Sequence, residues 1–133
     1  MDRKFHIAIF ASGAGSTLQT LIDNQMVYGY HVTLVVTNRS CMALERAATH
    51  GIRALQTKDW EAIDIALETE KIDLIVLAGF LAIVPQWICE KWNHRIINIH
   101  PSLLPKHGGK GMYGIHVQES VLAAQDTEAG CTV

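Results

Sequence analysis

Two polar residues interrupt an apolar stretch in the last third of the sequence. Asn98 and His100 stand two positions apart in the run RIINIH, which Pro101 then stops. If that run is a strand, both side chains project to the same face, and Pro101 ends the strand because it has no N–H to donate. An amide and an imidazole held together can stabilise a developing oxyanion and move a proton. The alternative is a pair of satisfied structural groups at a strand end; we favour the catalytic interpretation.

A glycine-rich segment near the start, ASGAGSTL, has the residue types of an anion site. Gly13 and Gly15 let backbone amides approach a ligand. Ser16 and Thr17 add hydroxyl donors at a helix start, where free N–H groups favour negative charge. The segment lacks the third glycine of GxGxxG and the Gly-Lys-Ser/Thr of a P-loop, so a monophosphate fits better than a dinucleotide. The alternative is a tight strand–helix turn capped by Ser16. We call residues 12–17 the glycine turn.

A third segment, AGFLAIVP, follows a buried-looking run and leaves it at Gly79. Taken singly, its apolar residues are best interpreted as core. As a group beside a phosphate site, they could instead line a pocket for a flat heterocycle whose edges are read by backbone N–H and C=O groups. We call its four central residues the apolar bend: Leu81, Ala82, Ile83 and Val84.

Apolar runs and helical periodicities alternate along the chain and predict the elements that position these segments. Strands are predicted at residues 6–11, 31–37, 52–55, 73–78 and 95–100. Helices are predicted at residues 16–24, 42–50, 59–70, 85–92 and 116–124, with Asp59 as an N-cap. The predicted fold class is α/β, a doubly wound and mostly parallel sheet in the order 3-2-1-4-5, plus the start of a further strand after Gly130.

This strand order places the three segments at one edge of the sheet. The winding reverses between strands 1 and 4, and ligands bind there beyond the carboxyl ends of the strands. We therefore expect the glycine turn, the apolar bend and the Asn98–His100 pair to share one crevice. The sequence has no internal repeat or linker, so residues 1–133 are expected to form a single domain.

Composition excludes several classes of function. Hydrophobic residues make up 49% of the 133 residues and charged residues 18%, which is typical of a folded globular protein. The net charge of −2 offers no broad basic surface to nucleic acid or acidic lipid. No apolar run approaches the roughly 20 residues that span a bilayer. Three cysteines without a CxxC pair indicate reduced thiols in a cytoplasmic protein.

The histidines other than His100 have no metal-ligand spacing with cysteines or carboxylates, so no metal is expected. We interpret them as surface or cap residues: His6, His31, His50, His94, His107 and His116.

Three segments together carry a family resemblance. In their order and separations, ASGAGSTLQTLID, DLIVLAGF and NIHPSLLPKHGGKGMYGIHV resemble the folate-dependent phosphoribosylglycinamide formyltransferase family, from about Phe5 to Val133. The resemblance implies transfer of a formyl group from 10-formyltetrahydrofolate to the amine of glycinamide ribonucleotide, in de novo purine biosynthesis. It implies a phosphate site at Gly15, Ser16 and Thr17, a pterin pocket at Leu81, Ala82, Ile83 and Val84, a catalytic pair at Asn98 and His100, and a candidate ligand contact at Lys58.

The sequence departs from that family in three places. Ala82 lacks the nearby Arg or Lys that meets folate carboxylates in many members, and the segment around Lys58 is shortened. The family's catalytic aspartate lies just past the strand that begins at Cys131, and the sequence stops before it. Asp126 and Glu128 fall too early to replace it. The resemblance therefore implies a fragment that binds substrate phosphate but turns over poorly or not at all, and whose exposed sheet edge favours a homo-oligomer.

Two other functions stay open at this point. One is a non-catalytic module that binds a phosphate or nucleotide, and the other is a formyltransferase or deformylase with another acceptor. Replacing His100 by Ala would separate catalysis from binding, because catalysis should collapse while ligand affinity changes little.

Overall fold

Strand β1 (Phe5–Ala11) lies in the middle of a five-stranded sheet with the order β3-β2-β1-β4-β5. The computed structural model describes residues 3–133. The other strands are β2 (Tyr30–Thr37), β3 (Arg53–Gln56), β4 (Leu74–Leu77) and β5 (Ile96–Asn98). The helices are α1 (Ser16–Tyr28), α2 (Met42–Thr49), α3 (Trp60–Thr69), α4 (Gln86–Lys91) and α5 (Ile115–Ala123). The predicted fold class and strand order are confirmed.

The central strand is apolar throughout because both of its faces are covered. Ile7 and Ile9 join a core cluster with buried residues of α1 and α2. Ala8 and Phe10 point the other way, into a cluster with residues of α3 and α4. Strand β1 pairs in parallel with both β2 and β4. Loops after β1, β2 and β4 therefore leave the sheet at the same edge, where ligands bind in folds of this type.

Helix α1 runs four residues further than predicted. Its last turn exposes Met26, Val27 and Tyr28, at 90%, 76% and 74%. The apolar periodicity that marks the buried face stops at Ile22, so the sequence gave no signal for this extension. The helix ends instead at Gly29, whose φ of 74° is the left-handed conformation that glycine adopts without strain. Asp59 caps α3 as predicted, accepting hydrogen bonds from the amides of Glu61 and Ala62.

Strand β5 is shorter than predicted, and the prediction that it includes His100 is wrong. The strand ends at Asn98, and His100 instead forms an isolated antiparallel bridge with Thr132. The His100 amide donates to the Thr132 carbonyl at 2.8 Å, and the Thr132 amide donates back at 2.9 Å. The common facing of Asn98 and His100, inferred from a continuous strand, therefore has no support from strand geometry. Within the described residues, the further strand expected after Gly130 consists of this bridge.

The chain forms two compact units, the first ending at Ile97 and the second spanning Asn98–Val133. The first contains four of the strands entirely, together with helices α1 to α4. The second contains α5 and the loop that precedes it. Among residues 3–133, no helix has the length and apolar character needed to cross a membrane.

Candidate active site

The glycine turn bends at Gly15, which precedes α1 with φ 74° and ψ 28°. Gly15 is the N-cap and no side chain caps the helix, so the alternative of a helix capped by Ser16 is wrong. Ser16 and Thr17 are exposed in the first turn of α1. Unsatisfied amides and free hydroxyls at the start of a 13-residue helix form an environment that favours an anion.

Ser12, which the sequence analysis did not single out, ties together the loops after β1, β2 and β4. Its side chain is fully buried. The Ser12 hydroxyl accepts a hydrogen bond from the Leu81 amide at 2.8 Å and donates one to Asn38 Oδ1 at 2.7 Å. The Ser12 amide donates to the Gly79 carbonyl at 3.1 Å. The glycine turn and the first residue of the apolar bend are thus held directly against each other.

Two arginines also hold the glycine turn by its carbonyl groups. Arg39 Nε donates to the Ser12 carbonyl at 2.6 Å, and Arg46 Nε donates to the Ala14 carbonyl at 2.7 Å. Neither guanidinium forms an ion pair with a carboxylate in the described part of the chain. Their positive charge therefore adds to that of the helix start, and both favour an anionic ligand at the turn.

The apolar bend divides into packed and exposed residues. Val84 and the preceding Phe80 pack against the core cluster of α3 and α4, as the core interpretation expects. Leu81 and Ile83 are 46% and 90% exposed. Large apolar side chains that stay exposed beside an anion-favouring turn are available to contact the apolar part of a ligand.

A cavity of about 270 Å³ lies beside the bend in the first unit. Its aromatic side is built by Trp60 and Phe80, which pack edge to face with ring centroids 6.0 Å apart. Lys58 is the one cationic residue of its lining and is exposed. The cavity therefore combines an apolar wall with a positive rim, which suits an aromatic ligand that carries an acid. The full lining is Asn38, Thr57, Lys58, Trp60, Ile63, Phe80 and Ala82.

In the second unit, His100 is half-buried and its Nε2 lies 3.0 Å from the carbonyl oxygen of His107. The interpretation of His107 as a surface or cap residue is wrong, because its side chain is only 11% exposed and both ring nitrogens are hydrogen-bonded. Nδ1 lies 2.6 Å from Ser120 Oγ, and Nε2 lies 2.6 Å from Asp126 Oδ2. Asn98 is exposed.

The carboxylate of this cluster is kept in its charged form. The hydrogen bond from His107 lowers the pKa of Asp126 below its ordinary value, and the Lys106 ammonium, 3.6 Å away, acts in the same direction. Partial desolvation opposes them without reversing the shift. Asp126 reaches His107 rather than His100, in agreement with the expectation that it does not replace an aspartate beside the catalytic imidazole.

Residues 5–133 match the family model described as formyl transferase. The chain belongs to the formyl transferase family. It is 38% identical over 146 residues to the trifunctional purine biosynthetic protein adenosine-3 of Drosophila melanogaster, covering 99% of this chain and 10% of the relative. It is 34% identical over 145 residues to the chloroplastic phosphoribosylglycinamide formyltransferase of Arabidopsis thaliana, covering 98% of this chain and 49% of the relative.

A solved structure of the same family gives the three-dimensional comparison. The phosphoribosylglycinamide formyltransferase of Anaplasma phagocytophilum superposes with a TM-score of 0.87 at 32% identity, covering 98% of this formyl transferase chain and 63% of the other. The chain thus spans a tenth of the trifunctional relative, about half of the plant relative and just under two thirds of the bacterial structure.

Proposed function

We propose that this chain transfers a formyl group from 10-formyltetrahydrofolate to the amine of glycinamide ribonucleotide. The observation that carries the proposal is similarity over nearly the whole chain to proteins named phosphoribosylglycinamide formyltransferase. The chemical character of the first unit agrees with it. An anion-favouring turn and an exposed apolar bend, joined through Ser12, suit a phosphorylated substrate and an apolar co-substrate.

The phosphate of glycinamide ribonucleotide binds at Gly15, Ser16 and Thr17 in this proposal. The amides of the first turn of α1 donate to the phosphate oxygens, and the two hydroxyls add further donors. Arg39 and Arg46 support the site through the turn's carbonyl groups and by their charge.

The formyl folate contacts the apolar bend of Leu81, Ala82, Ile83 and Val84. The exposed side chains of Leu81 and Ile83 cover its rings. Lys58 lies on the rim of the neighbouring aromatic cavity and pairs with the co-substrate's glutamate carboxylates. This cation compensates for the absence of a basic residue near Ala82.

Asn98 and His100 act on the formyl carbon. The neutral amine of the substrate attacks that carbon, a C–N bond forms, and the carbonyl oxygen becomes an oxyanion to which the Asn98 amide donates a hydrogen bond. The bond between the carbon and the folate nitrogen then breaks. His100 takes the proton that the attacking amine loses and returns it to the departing nitrogen, so that the reaction needs no net acid or base.

Binding of the substrate can be measured without turnover. Isothermal titration calorimetry should detect glycinamide ribonucleotide but not its dephosphorylated riboside. Ser16→Asp should abolish the signal by placing a negative charge against the phosphate. Val27→Asp is the matched control, since it puts the same charge at the exposed far end of the same helix. Equal binding of the riboside and the ribonucleotide would contradict the proposed phosphate site.

Catalysis can be separated from binding by a second measurement. His100→Ala should lower the rate of formyl transfer by about 10²-fold or more, which is the usual contribution of a general acid–base group. The affinity for glycinamide ribonucleotide should change little, because the phosphate is held elsewhere. An unchanged rate in this variant would refute the role given to His100.

A further inference from the structure

The hydrogen bond between His100 and His107 fixes the protonation pattern of the His100 ring. Nε2 of His100 lies 3.0 Å from the carbonyl oxygen of His107. A carbonyl oxygen can only accept a hydrogen bond, so Nε2 must carry the hydrogen. In the neutral imidazole the other nitrogen, Nδ1, is then the acceptor. The contact therefore selects one of the two tautomers and leaves Nδ1 as the basic nitrogen.

The carbonyl that makes this contact belongs to a residue with an unusual backbone. His107 has a φ of 56°, in the left-handed region that residues other than glycine rarely adopt. Such a conformation costs on the order of 1–3 kcal/mol and persists only where the surroundings hold it. Something besides the local chain must therefore keep His107 in place and direct its carbonyl group.

Two side chains hold the His107 ring at both nitrogens. Asp126 Oδ2 accepts from Nε2 at 2.6 Å, and Ser120 Oγ lies 2.6 Å from Nδ1. Ser120 lies in α5 and Asp126 follows that helix, whereas His107 lies in the loop before it. Because serine can donate to a neutral ring or accept from a charged one, the cluster holds His107 in either protonation state.

We propose that His107, clamped by Ser120 and Asp126, is a positioning residue that fixes the tautomer and orientation of His100. The inference deepens the proposed function, because it concerns the same imidazole. The ionised state of Asp126, favoured by His107 and by Lys106, makes the clamp a charge-assisted hydrogen bond, which is stronger than a neutral one. The loop from Pro101 to Gly114 thus receives its rigidity at the residue that meets His100.

The tautomer of His100 is a direct readout that requires no catalysis. Long-range ¹H–¹⁵N spectra of imidazole-labelled protein distinguish a protonated ring nitrogen from an unprotonated one. We expect the wild-type chain, above the pH at which His100 is protonated, to give His100 signals of the Nε2–H tautomer. A predominant Nδ1–H tautomer, or an equal mixture, would overturn the proposal without any variant being made.

Variants then test whether the clamp is the cause. Asn tolerates the left-handed backbone, so His107→Asn should remove both ring contacts without adding strain and convert the His100 signals to a mixture of tautomers. Ser120→Ala should have a smaller effect in the same direction. The matched control is His116→Phe, which removes an exposed histidine from the same helix as Ser120 and should leave the His100 signals unchanged. Retention of a pure Nε2–H tautomer in folded His107→Asn would show that the clamp is not needed.

Kinetics separate this inference from the proposed function. If His100 transfers protons, Asp126→Asn should lower kcat on the order of tenfold, as loss of a group that orients an imidazole does, while KM for both substrates stays unchanged. A rise in KM alone would contradict a positioning role. If His100→Ala leaves formyl transfer intact, the proposed function of His100 fails, whereas the tautomer measurement still decides whether His107 positions the ring.

Discussion

The Ser12 hydroxyl accepts a hydrogen bond from the Leu81 amide at 2.8 Å, across 69 positions of sequence. The bond joins the first residue of the glycine turn to the first residue of the apolar bend. Ser12 simultaneously donates to Asn38 and is fully buried, so its hydroxyl is saturated by protein partners and has no access to solvent. The two segments that we assign to substrate and co-substrate therefore share one mechanical connection.

Removing that hydroxyl should destabilise the protein. Ser12→Ala leaves the Leu81 amide and the Asn38 carbonyl oxygen without their buried partner, and each such loss costs about 1–3 kcal/mol. We expect a lower urea midpoint with an unchanged m-value. Ser40→Ala, at an exposed serine in the loop after β2, is the control and should unfold like the wild type. Equal stability of the two variants would mean that Ser12 does not hold the loops together.

Gly15 should tolerate no side chain. A Cβ there would lie 3.1 Å from Ala43 Cα and 3.1 Å from Arg46 Cδ, and φ is 74°. The left-handed conformation alone should make Gly15→Ala less stable by about 1–2 kcal/mol. Gly13→Ala is the matched control, because its Cβ meets nothing within 4 Å. Thermal or urea unfolding of both variants checks the difference, which should be absent if the turn relaxes freely.

Asp73 should make stability depend on pH in the acid range. Burial acts to raise the pKa of Asp73, but hydrogen bonds from the His6 amide and the Arg3 guanidinium outweigh it and hold the pKa below its ordinary value. Stability from this group is complete above the unfolded-state pKa of about 4 and is lost as the pH falls through the lower folded-state value.

The measurement is the urea midpoint as a function of pH. Asp73→Asn should lose less stability than the wild type when the pH is lowered below about 4, since an amide does not titrate. Asp23→Asn, at an exposed carboxylate in α1, should follow the wild-type curve. Parallel curves for Asp73→Asn and the wild type would contradict the linkage.

Lys58 should contribute to co-substrate affinity through charge. Lys58→Gln is expected to weaken binding of 10-formyltetrahydrofolate by up to about fivefold, the magnitude of an exposed ion pair. The difference should shrink at high salt, because exposed charges are screened. Lys4→Gln, next to the first residue of β1 and so at the other end of that strand, is the control. Fluorescence titration at two salt concentrations checks both expectations; a salt-independent difference would point to packing instead.

The sequence predicted the sheet well because its strands are buried on both faces and read as continuous apolar runs. The same logic failed at His100, where the bridge to Thr132, 32 positions later, replaces the continuation of β5. Ser12 escaped notice because its partners lie 26 and 69 positions away and a serine after a strand is unremarkable. His107 was missed for the same reason, since Ser120 and Asp126 carry no periodic pattern that links them to it.

Helix α2 closes against the glycine turn from behind. The Ala43 amide donates to the Gly13 carbonyl at 3.2 Å, and Ala43 leaves no spare volume beside Gly15. The receptor for the anion is therefore already shaped before any ligand arrives. Little conformational entropy remains to be lost on association, so encounter, and not rearrangement of the loop, sets how fast a phosphorylated molecule is captured.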